Sequence, residues 1–198
     1  MTRDEFSPAE LRILRRLDTP EKIQEFLDEK IEYNRKASAR SPRRILEERR
    51  GHCMEGALFA AAALEANGIP PLVVDLASVR DDDHVIAVFR RNGLWGAVAK
   101  SNYSGLRYRT PIYRSIRELA LSYWEHYFNT RGEKTLRSYT RPILLTPLEP
   151  WRTPMEHVWH VADRLVEAPH VPLLPRKVLY RRYHMDRRLR QAGCLGKI

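Results

Sequence analysis

The chain has 198 residues and a formal net charge of +10 at neutral pH. This length suits one domain with a hydrophobic core, which we expect to span residues 1–198. The two cysteines, Cys53 and Cys194, lie far apart and support neither a disulfide framework nor a four-thiolate zinc site. The longest apolar run, Ala57 to Leu64, is too short to cross a bilayer, and residues 1–18 lack the hydrophobic core of a secretory signal. We therefore expect a cytoplasmic protein without membrane contact.

Much of the positive charge lies near the C-terminus. From Arg176 onward there are eight Lys or Arg residues against one acidic residue, Asp186. Such a segment is typical of a solvated helix face. Clustered cations also bind phosphates and other acidic groups by releasing counterions. A weak acidic partner of this basic segment is therefore an expectation beside the solvated face.

Three predicted helices share one start signal, a Ser or Thr that can cap free N–H groups followed by a Pro suited to the first turn. These starts are Ser7-Pro8, Thr19-Pro20 and Ser41-Pro42. The apolar spacing predicts that the second helix ends near Asn34 and that Gly51 closes the third. A fourth helix, from about Cys53 to Ala66, is apolar on nearly every face and is predicted to be the buried central helix.

Short runs rich in Val, Ile and aromatic residues come next and predict an antiparallel sheet at 72–76, 85–89 and 94–99, with Asn92-Gly93 in a hairpin turn. Ser115 and Glu118 predict a capped helix that runs to about Phe128. Further helical segments are predicted near 155–166 and 177–191. The expected fold is thus α+β, with a core at about 19–129 and a C-terminal helical extension at about 150–198.

Cys53 is the first candidate for chemistry, because it opens the predicted central helix directly after Gly51-His52. Free N–H groups and aligned peptide dipoles at a helix start favour an anion. On that basis we expect the thiol pKa to fall from about 8.5 toward or below neutrality. The alternative for a single intracellular cysteine is a small buried hydrophobic residue.

His84 and Asn102 complete a chemically sufficient set. His84 follows Asp81-Asp82-Asp83 and begins a predicted strand, where a histidine can move protons for a thiol nucleophile. Asn102 follows the next strand, and its side-chain oxygen could accept the other imidazole N–H. If Asn92-Gly93 is a simple two-residue turn, His84 pairs with Ser101, so this hydrogen bond requires a shift of one residue in strand register. We expect a cysteine, a histidine and an orienting asparagine at one site.

The run from about Thr19 to Asn129 resembles the transglutaminase-like superfamily. The resemblance rests on the capped helix, Gly-x-Cys at the start of an Ala-rich helix, Ala-Asn-Gly-Ile-Pro at residues 66–70, a His-led strand, and a strand that contains Trp95. This superfamily resembles papain in fold and includes protein-crosslinking enzymes, cysteine peptidases, peptide N-glycanases and, more distantly, arylamine acetyltransferases. Its third catalytic residue is usually Asp, whereas this sequence has Asn102, as papain itself has Asn.

The resemblance implies acyl transfer through a thioester on Cys53, with His84 protonating the leaving group and water or an amine resolving the thioester. We expect hydrolysis of an amide-containing substrate, such as a peptide, rather than crosslinking, and no cofactor. The oxyanion requires hydrogen-bond donors. The backbone N–H of Cys53 is one candidate, and the side chains of Tyr33 and Asn34 are two others.

The sequence leaves two alternatives to the thiol enzyme. A zinc site at His52, Cys53, Asp83 and His84, or at Glu156, His157, His160 and Asp163, has no diagnostic spacing, so no metal is expected. A papain-like scaffold without turnover that binds an acidic partner is the second alternative. A reactive Cys53 thiol, alkylated at lower pH than Cys194, separates the enzyme from the binding protein.

Overall fold

The computed structural model describes residues 4–146, 149–179 and 181–195. The helices are α1 (Pro8–Arg16), α2 (Pro20–Lys30), α3 (Pro42–Glu48), α4 (Cys53–Ala66), α5 (Ile116–Leu121), α6 (Trp159–Glu167), α7 (Arg176–Leu179) and α8 (Arg187–Gly193). The strands are β1 (Glu32–Tyr33), β2 (Arg50–Gly51), β3 (Leu72–Ser78), β4 (His84–Arg91), β5 (Leu94–Val98), β6 (Arg109–Tyr113), β7 (Glu133–Lys134), β8 (Leu136–Thr140), β9 (Ile143–Leu144), β10 (His170–Pro172) and β11 (Tyr183–His184).

The main sheet is antiparallel throughout and has the strand order β10-β8-β3-β4-β5-β6, with β9 also paired to β3. Two small pairings lie outside it, a parallel pair of β1 with β2 and an antiparallel pair of β7 with β11. An antiparallel sheet beside packed helices confirms the α+β class.

The sheet has a hydrophobic core on each face. Alternate residues of β4 divide between them, because successive side chains of a strand point to opposite faces. Val85, Ala87 and Phe89 pack in the cluster that contains α4, whereas Ile86 and Val88 pack in the cluster that contains α5. Strand β4 is therefore covered on both sides and supports a site at its N-terminal end.

Helix α4 begins at Cys53 and ends at Ala66, as predicted from the apolar pattern. Every residue from Met54 to Leu64 is buried, which explains why the helix is apolar on all faces. Gly56 is required for close packing, since an added Cβ would lie 2.3 Å from Cβ of Lys100. The predicted Ser and Thr caps of α1, α2 and α3 are also confirmed by their hydrogen bonds to backbone N–H groups.

Several predicted boundaries are wrong. Helix α2 ends at Lys30, because residues 32–33 leave the helix to pair with β2. Helix α5 ends at Leu121, and only a short 3-10 turn at 124–126 follows before Phe128. The predicted helix at 177–191 is divided by β11, which pairs with β7, so α7 and α8 are separate. The predicted segment near 155–166 corresponds to α6.

Among the described residues, no helix is both long enough and apolar enough to span a membrane.

Candidate active site

One open cavity of about 670 Å³ lies at the N-terminal end of β4. Its wall includes all five residues predicted for the site, namely Tyr33, Asn34, Cys53, His84 and Asn102. Residues from the start of α4, from the loop between β3 and β4, from the loop after β1 and from the segment after β5 contribute to it. The fold thus brings the predicted residues to one place, although their contacts differ from those expected.

Cys53 occupies the first turn of α4 and is partly exposed to the cavity. Its Sγ donates to the carbonyl oxygen of Asp83 over 3.7 Å. Hydrogen bonds from the backbone N–H groups of Val85 and Met54 stabilise the thiolate form. The sulfur is therefore held between one carbonyl that favours the thiol and two amides that favour the anion.

The balance of these effects corrects the expected thiol pKa. Burial raises the pKa of Cys53 to about 11, and this effect exceeds the lowering by the Val85 and Met54 amides. The carboxylates of Asp75 and Asp82 raise the pKa further. A helix start alone does not lower the thiol pKa here, because desolvation is the largest contribution.

His84 is 4% exposed and also lines the cavity. The ring lies edge-on to Tyr123 and Tyr127, with centroid distances of 6.2 and 6.4 Å. His84 Nε2 lies 2.9 Å from the carbonyl oxygen of Leu106. A carbonyl oxygen only accepts, so Nε2 carries the proton and Nδ1 is the basic nitrogen of the neutral ring.

Burial lowers the pKa of His84 to about 4, so the imidazole is neutral at pH 7. The hydrogen bond to Leu106 opposes this shift, and the charge of Arg109 adds to it. Together with the raised thiol pKa, this makes a neutral thiol and a neutral imidazole the resting state. The hydrogen bonds found for Cys53 and His84 within the described residues do not join the two side chains.

Asn102 does not hydrogen-bond His84, contrary to the prediction. The turn at Asn92-Gly93 is a simple two-residue turn with positive φ at both residues, and Arg91 pairs directly with Leu94. Strand register from β4 to β5 continues without a bulge, so the required shift of one residue is missing. The buried side-chain oxygen of Asn102 has no hydrogen-bond partner among the described residues.

Tyr33 and Asn34 both line the cavity, but only Tyr33 keeps its side chain available there. Asn34 Nδ2 donates to the Lys36 carbonyl at 2.9 Å and to Ser38 Oγ at 2.7 Å, so both of its amide hydrogens organise the loop after β1. Burial raises the pKa of Tyr33, and the charge of a Cys53 thiolate would raise it further. The Tyr33 hydroxyl therefore stays protonated and can donate.

The loop between β3 and β4 is held by its own polar contacts. Asp83 Oδ1 accepts from the Ser78 N–H at 2.7 Å, and Asp81 Oδ2 accepts from Thr135 Oγ1 at 2.7 Å. Tyr127 Oη donates to the Asp82 carbonyl at 2.7 Å. These contacts fix the backbone at 82–85, which carries the carbonyl and the N–H that meet Cys53.

Sequence reasoning missed several groups around the site. The Leu106 carbonyl and the Val85 N–H are backbone groups, which leave no pattern in a sequence. Asp75, by contrast, was visible as a single acidic residue within an apolar strand. It is buried and lies opposite Val85, with Oδ2 3.0 Å from Nε2 of His170. Burial raises the pKa of Asp75 to about 6, and the hydrogen bond with His170 opposes this rise.

Neither zinc alternative is assembled in the described part of the chain, where no group of three or more His, Cys, Asp or Glu residues could hold a metal ion. His52 approaches the carbonyl of Ser38 through Nε2 at 2.7 Å. His157 Nδ1 instead accepts from the Ala39 N–H at 2.9 Å, and its ring stacks on Trp159. The side chains of His52 and His157 are therefore held by contacts with backbone groups.

Comparison with known proteins agrees with the cysteine-bearing helix and the sheet that follows it. No curated protein matches the chain. Residues 11–98 match the family model of the transglutaminase-like superfamily, a match that includes α4 with Cys53 and β4 with His84. That superfamily includes cysteine-dependent enzymes. Residues 11–98 are thus similar to the transglutaminase-like superfamily.

Proposed function

We propose that the protein is a cysteine-dependent hydrolase or acyltransferase that acts on amide bonds through a thioester on Cys53. The observation that carries this proposal is that Cys53 and His84, from separate elements, line one solvent-open cavity at the start of a buried helix. The superfamily whose model matches residues 11–98 includes cysteine-dependent enzymes. A papain-like arrangement of the core is part of the same proposal.

In this mechanism His84 Nδ1 takes the proton of the Cys53 thiol. The sulfur then attacks the substrate carbonyl carbon, and the proton passes from His84 to the leaving amine as the C–N bond breaks. Water attacks the resulting thioester and restores the thiol. We propose hydrolysis ahead of transfer to an amine, because exposed residues such as Arg35 and Asp82 leave the cavity open to solvent.

Two features support His84 as the base although Asn102 does not orient it. The Leu106 carbonyl takes the role of the orienting group, since it holds the proton on Nε2. A base with a low pKa also returns its proton readily to a leaving amine. The Tyr33 hydroxyl and the Cys53 N–H are the proposed oxyanion donors. Asn34 is the weaker candidate, because its amide hydrogens are already used.

Electrophilic peptides are the direct test. Peptides that end in an aldehyde, a vinyl sulfone or a chloromethyl ketone should modify Cys53 in the intact protein, as located by mass spectrometry of the adduct. The Cys53→Ala variant should take up no label at the cavity, and the Cys194→Ser variant should label like the unaltered protein. Labelling confined to Cys194 would refute the proposal.

A second candidate function is a binding protein without turnover, in which the basic C-terminal segment holds an acidic partner. The raised thiol pKa and the neutral His84 favour it, because a thiolate–imidazolium pair is not formed at rest. Exposed cations of α7 and α8, including Arg176, Lys177, Arg187 and Arg188, supply the surface. Absence of peptide labelling, together with salt-sensitive binding lost in an Arg187→Glu/Arg188→Glu variant, would support this candidate.

A further inference from the structure

A second concave surface, of about 720 Å³, lies beside the active-site cavity. The two share a wall that contains Tyr33, Asn34, Ser101 and Asn102, together with Arg35 and Lys36. We call the second surface the basic cleft. A ligand chain that crosses Cys53 can therefore continue into the basic cleft without leaving the protein surface.

Most charges of the basic cleft are already neutralised. Arg50 pairs with Glu32 at 2.7 Å, Lys30 with Glu29 at 3.5 Å, and Arg107 with Asp28 at 3.6 Å. Lys100 is buried, and its Nζ donates to the carbonyls of Leu27 and Ile31 at 2.6 Å each. The three ion pairs contribute no net charge to the cleft, and the Lys100 ammonium group is buried against backbone carbonyls.

Three cations of the cleft remain. Arg35, Lys36 and Arg49 are exposed, and none of them forms an ion pair with a residue in the described ranges. Arg49 lies over the ring of Phe26, 5.1 Å from its centroid, which fixes the position of its charge. The cleft therefore presents a localised positive surface next to the cavity.

Asn102 supplies an independent observation that points to a ligand. The residue lines both surfaces, and its side-chain oxygen is buried and has no partner among the described residues. An unsatisfied buried acceptor is relieved by a donor. Because Asn102 is partly exposed, a turn of its side chain would present this oxygen to the backbone N–H of a bound peptide, a donor that a phosphate chain lacks.

The active-site cavity has the reverse charge outside the wall that it shares with the basic cleft. Asp82 is exposed there, and its carboxylate has no ion pair within the residues described, while Asp81 and Asp83 use their carboxylates in loop contacts. Acidic groups of a ligand are thus repelled on the Asp82 side and attracted on the Arg35 side. The basic cleft and the part of the cavity that carries Asp82 therefore differ in charge.

We propose that the substrate is a peptide whose acidic residues, on one side of the reacting amide, occupy the basic cleft against Arg35, Lys36 and Arg49, while Asn102 accepts a hydrogen bond from its backbone. This inference rests on the proposed function of Cys53. A nucleic acid is the less suitable ligand, because the unpaired cations of the cleft are confined to Arg35, Lys36 and Arg49 and do not form a continuous row along which a phosphate backbone could lie.

The test measures binding separately from turnover. Fluorescein-labelled peptides with a central Gln and three Glu residues on either the N-terminal or the C-terminal side are titrated into the Cys53→Ala protein at low and moderate salt. Peptides with Gln or Lys in place of Glu serve for comparison. One Glu peptide should bind at least about tenfold more tightly than its Gln counterpart, and added salt should weaken it.

Charge-reversal variants test which surface binds the acidic residues of the peptide. Arg35→Glu/Lys36→Glu should abolish the preference for the Glu peptide, and circular dichroism and thermal melting should be unchanged because both side chains are exposed. The matched control, Arg187→Glu/Arg188→Glu, makes the same charge change on α8 and should leave the preference intact. An Asn102→Leu variant should bind the Glu peptide and the Gln peptide more weakly by the same factor.

Three results would overturn the inference. Equal binding of the Glu and Gln peptides excludes an acid-selective cleft. Loss of the preference only in the α8 variant assigns acidic binding to the C-terminal segment. A single-stranded oligonucleotide of equal charge that binds more tightly than the Glu peptide assigns the cleft to nucleic acid. Failure of Cys53 to react with electrophilic peptides, by contrast, refutes the proposed function and leaves the measured cleft affinity as it is.

Discussion

His84 Nε2 lies 2.9 Å from the carbonyl oxygen of Leu106. This contact places the imidazole proton on Nε2 and leaves Nδ1 as the base, which a side-chain amide was expected to accomplish. The orienting group is thus part of the backbone of the segment after β5. It supplies geometry without the negative charge that would stabilise an imidazolium ion.

The first prediction concerns the alkylation of Cys53. With a pKa of about 11, the thiol is almost wholly protonated at pH 7, so iodoacetamide should react much more slowly than with an unperturbed cysteine of pKa about 8.5. The rate should increase throughout the range from pH 7 to 10. It is measured by mass spectrometry on Cys194→Ser, in which Cys53 is the one remaining thiol. A rate plateau between pH 5 and 7 would instead reveal a thiolate–imidazolium pair.

The second prediction separates chemistry from packing. Cys53→Ala should abolish peptide labelling and any amide turnover, because no other group at the cavity can form the thioester. The free energy of unfolding should change by no more than about 1 to 2 kcal/mol, since the replaced group is one small, partly exposed thiol. Urea denaturation measures stability, and Cys53→Ser provides a near-isosteric control. A large loss of stability without any loss of reactivity would indicate a structural cysteine.

The third prediction uses two buried groups with opposite pH responses. The pKa of His84 in the folded state, about 4, lies below its ordinary value of 6.5, so the unfolded chain binds more protons between these limits. Acidification from pH 7 to 5 should therefore cost about 2 kcal/mol of stability through His84. The pKa of Asp75 is raised from 3.8 to about 6, so the folded state binds more protons there. Asp75 should therefore stabilise the folded state by about 1 kcal/mol over the same pH change.

Variants separate these opposing contributions. His84→Gln retains an N–H donor for the Leu106 carbonyl and removes the titration, so its stability should decrease less on acidification than that of the unaltered protein. Asp75→Asn should decrease more. Urea unfolding at pH 7 and pH 5 measures both changes. Identical pH responses of the two variants would show that neither residue titrates with the stated shift.

Local patterns predicted much of this fold, and contacts distant in sequence account for the errors. The bounds of α4 followed from its uninterrupted apolar character, and the caps of α1 to α3 from Ser and Thr before Pro. The end of α2 and the break between α7 and α8 depend on pairing of β1 with β2 and of β7 with β11, which no local signal reveals.

The candidate site shows the same division. The sequence predicted that Cys53 and His84 share one site, because each begins a buried element, and both residues line the cavity. It did not predict their pKa values, which depend on how completely the surrounding chain excludes water. Asn102 does not bind His84 because the predicted hydrogen bond required a shift of one residue in strand register. The simple Asn92-Gly93 turn does not supply that shift.

The last prediction concerns α8, whose composition is typical of a solvated helix face. Its C-terminal end instead packs beside the active-site cavity. Ser104 Oγ donates to the Ala192 carbonyl at 2.8 Å, and Gly193 is so close to Phe128 that an added Cβ would lie 2.9 Å from the ring. Phe128 and Thr130, whose carbonyl accepts from Arg190, are part of the cavity wall.

Removal of residues 187–198 should therefore affect both stability and the site. The free energy of unfolding should fall by about 2 kcal/mol, from loss of these hydrogen bonds and of the packing on Phe128. Cys53 should react faster with iodoacetamide at pH 8, because a less supported wall admits water and lowers the thiol pKa toward its ordinary value. The truncated protein lacks Cys194, so Cys194→Ser of full length is the matched reference. Ser104→Ala should produce a smaller change in the same direction, since it removes one contact and keeps the helix. If truncation alters neither the urea midpoint nor the alkylation rate, α8 is the independent solvated helix that its sequence suggested.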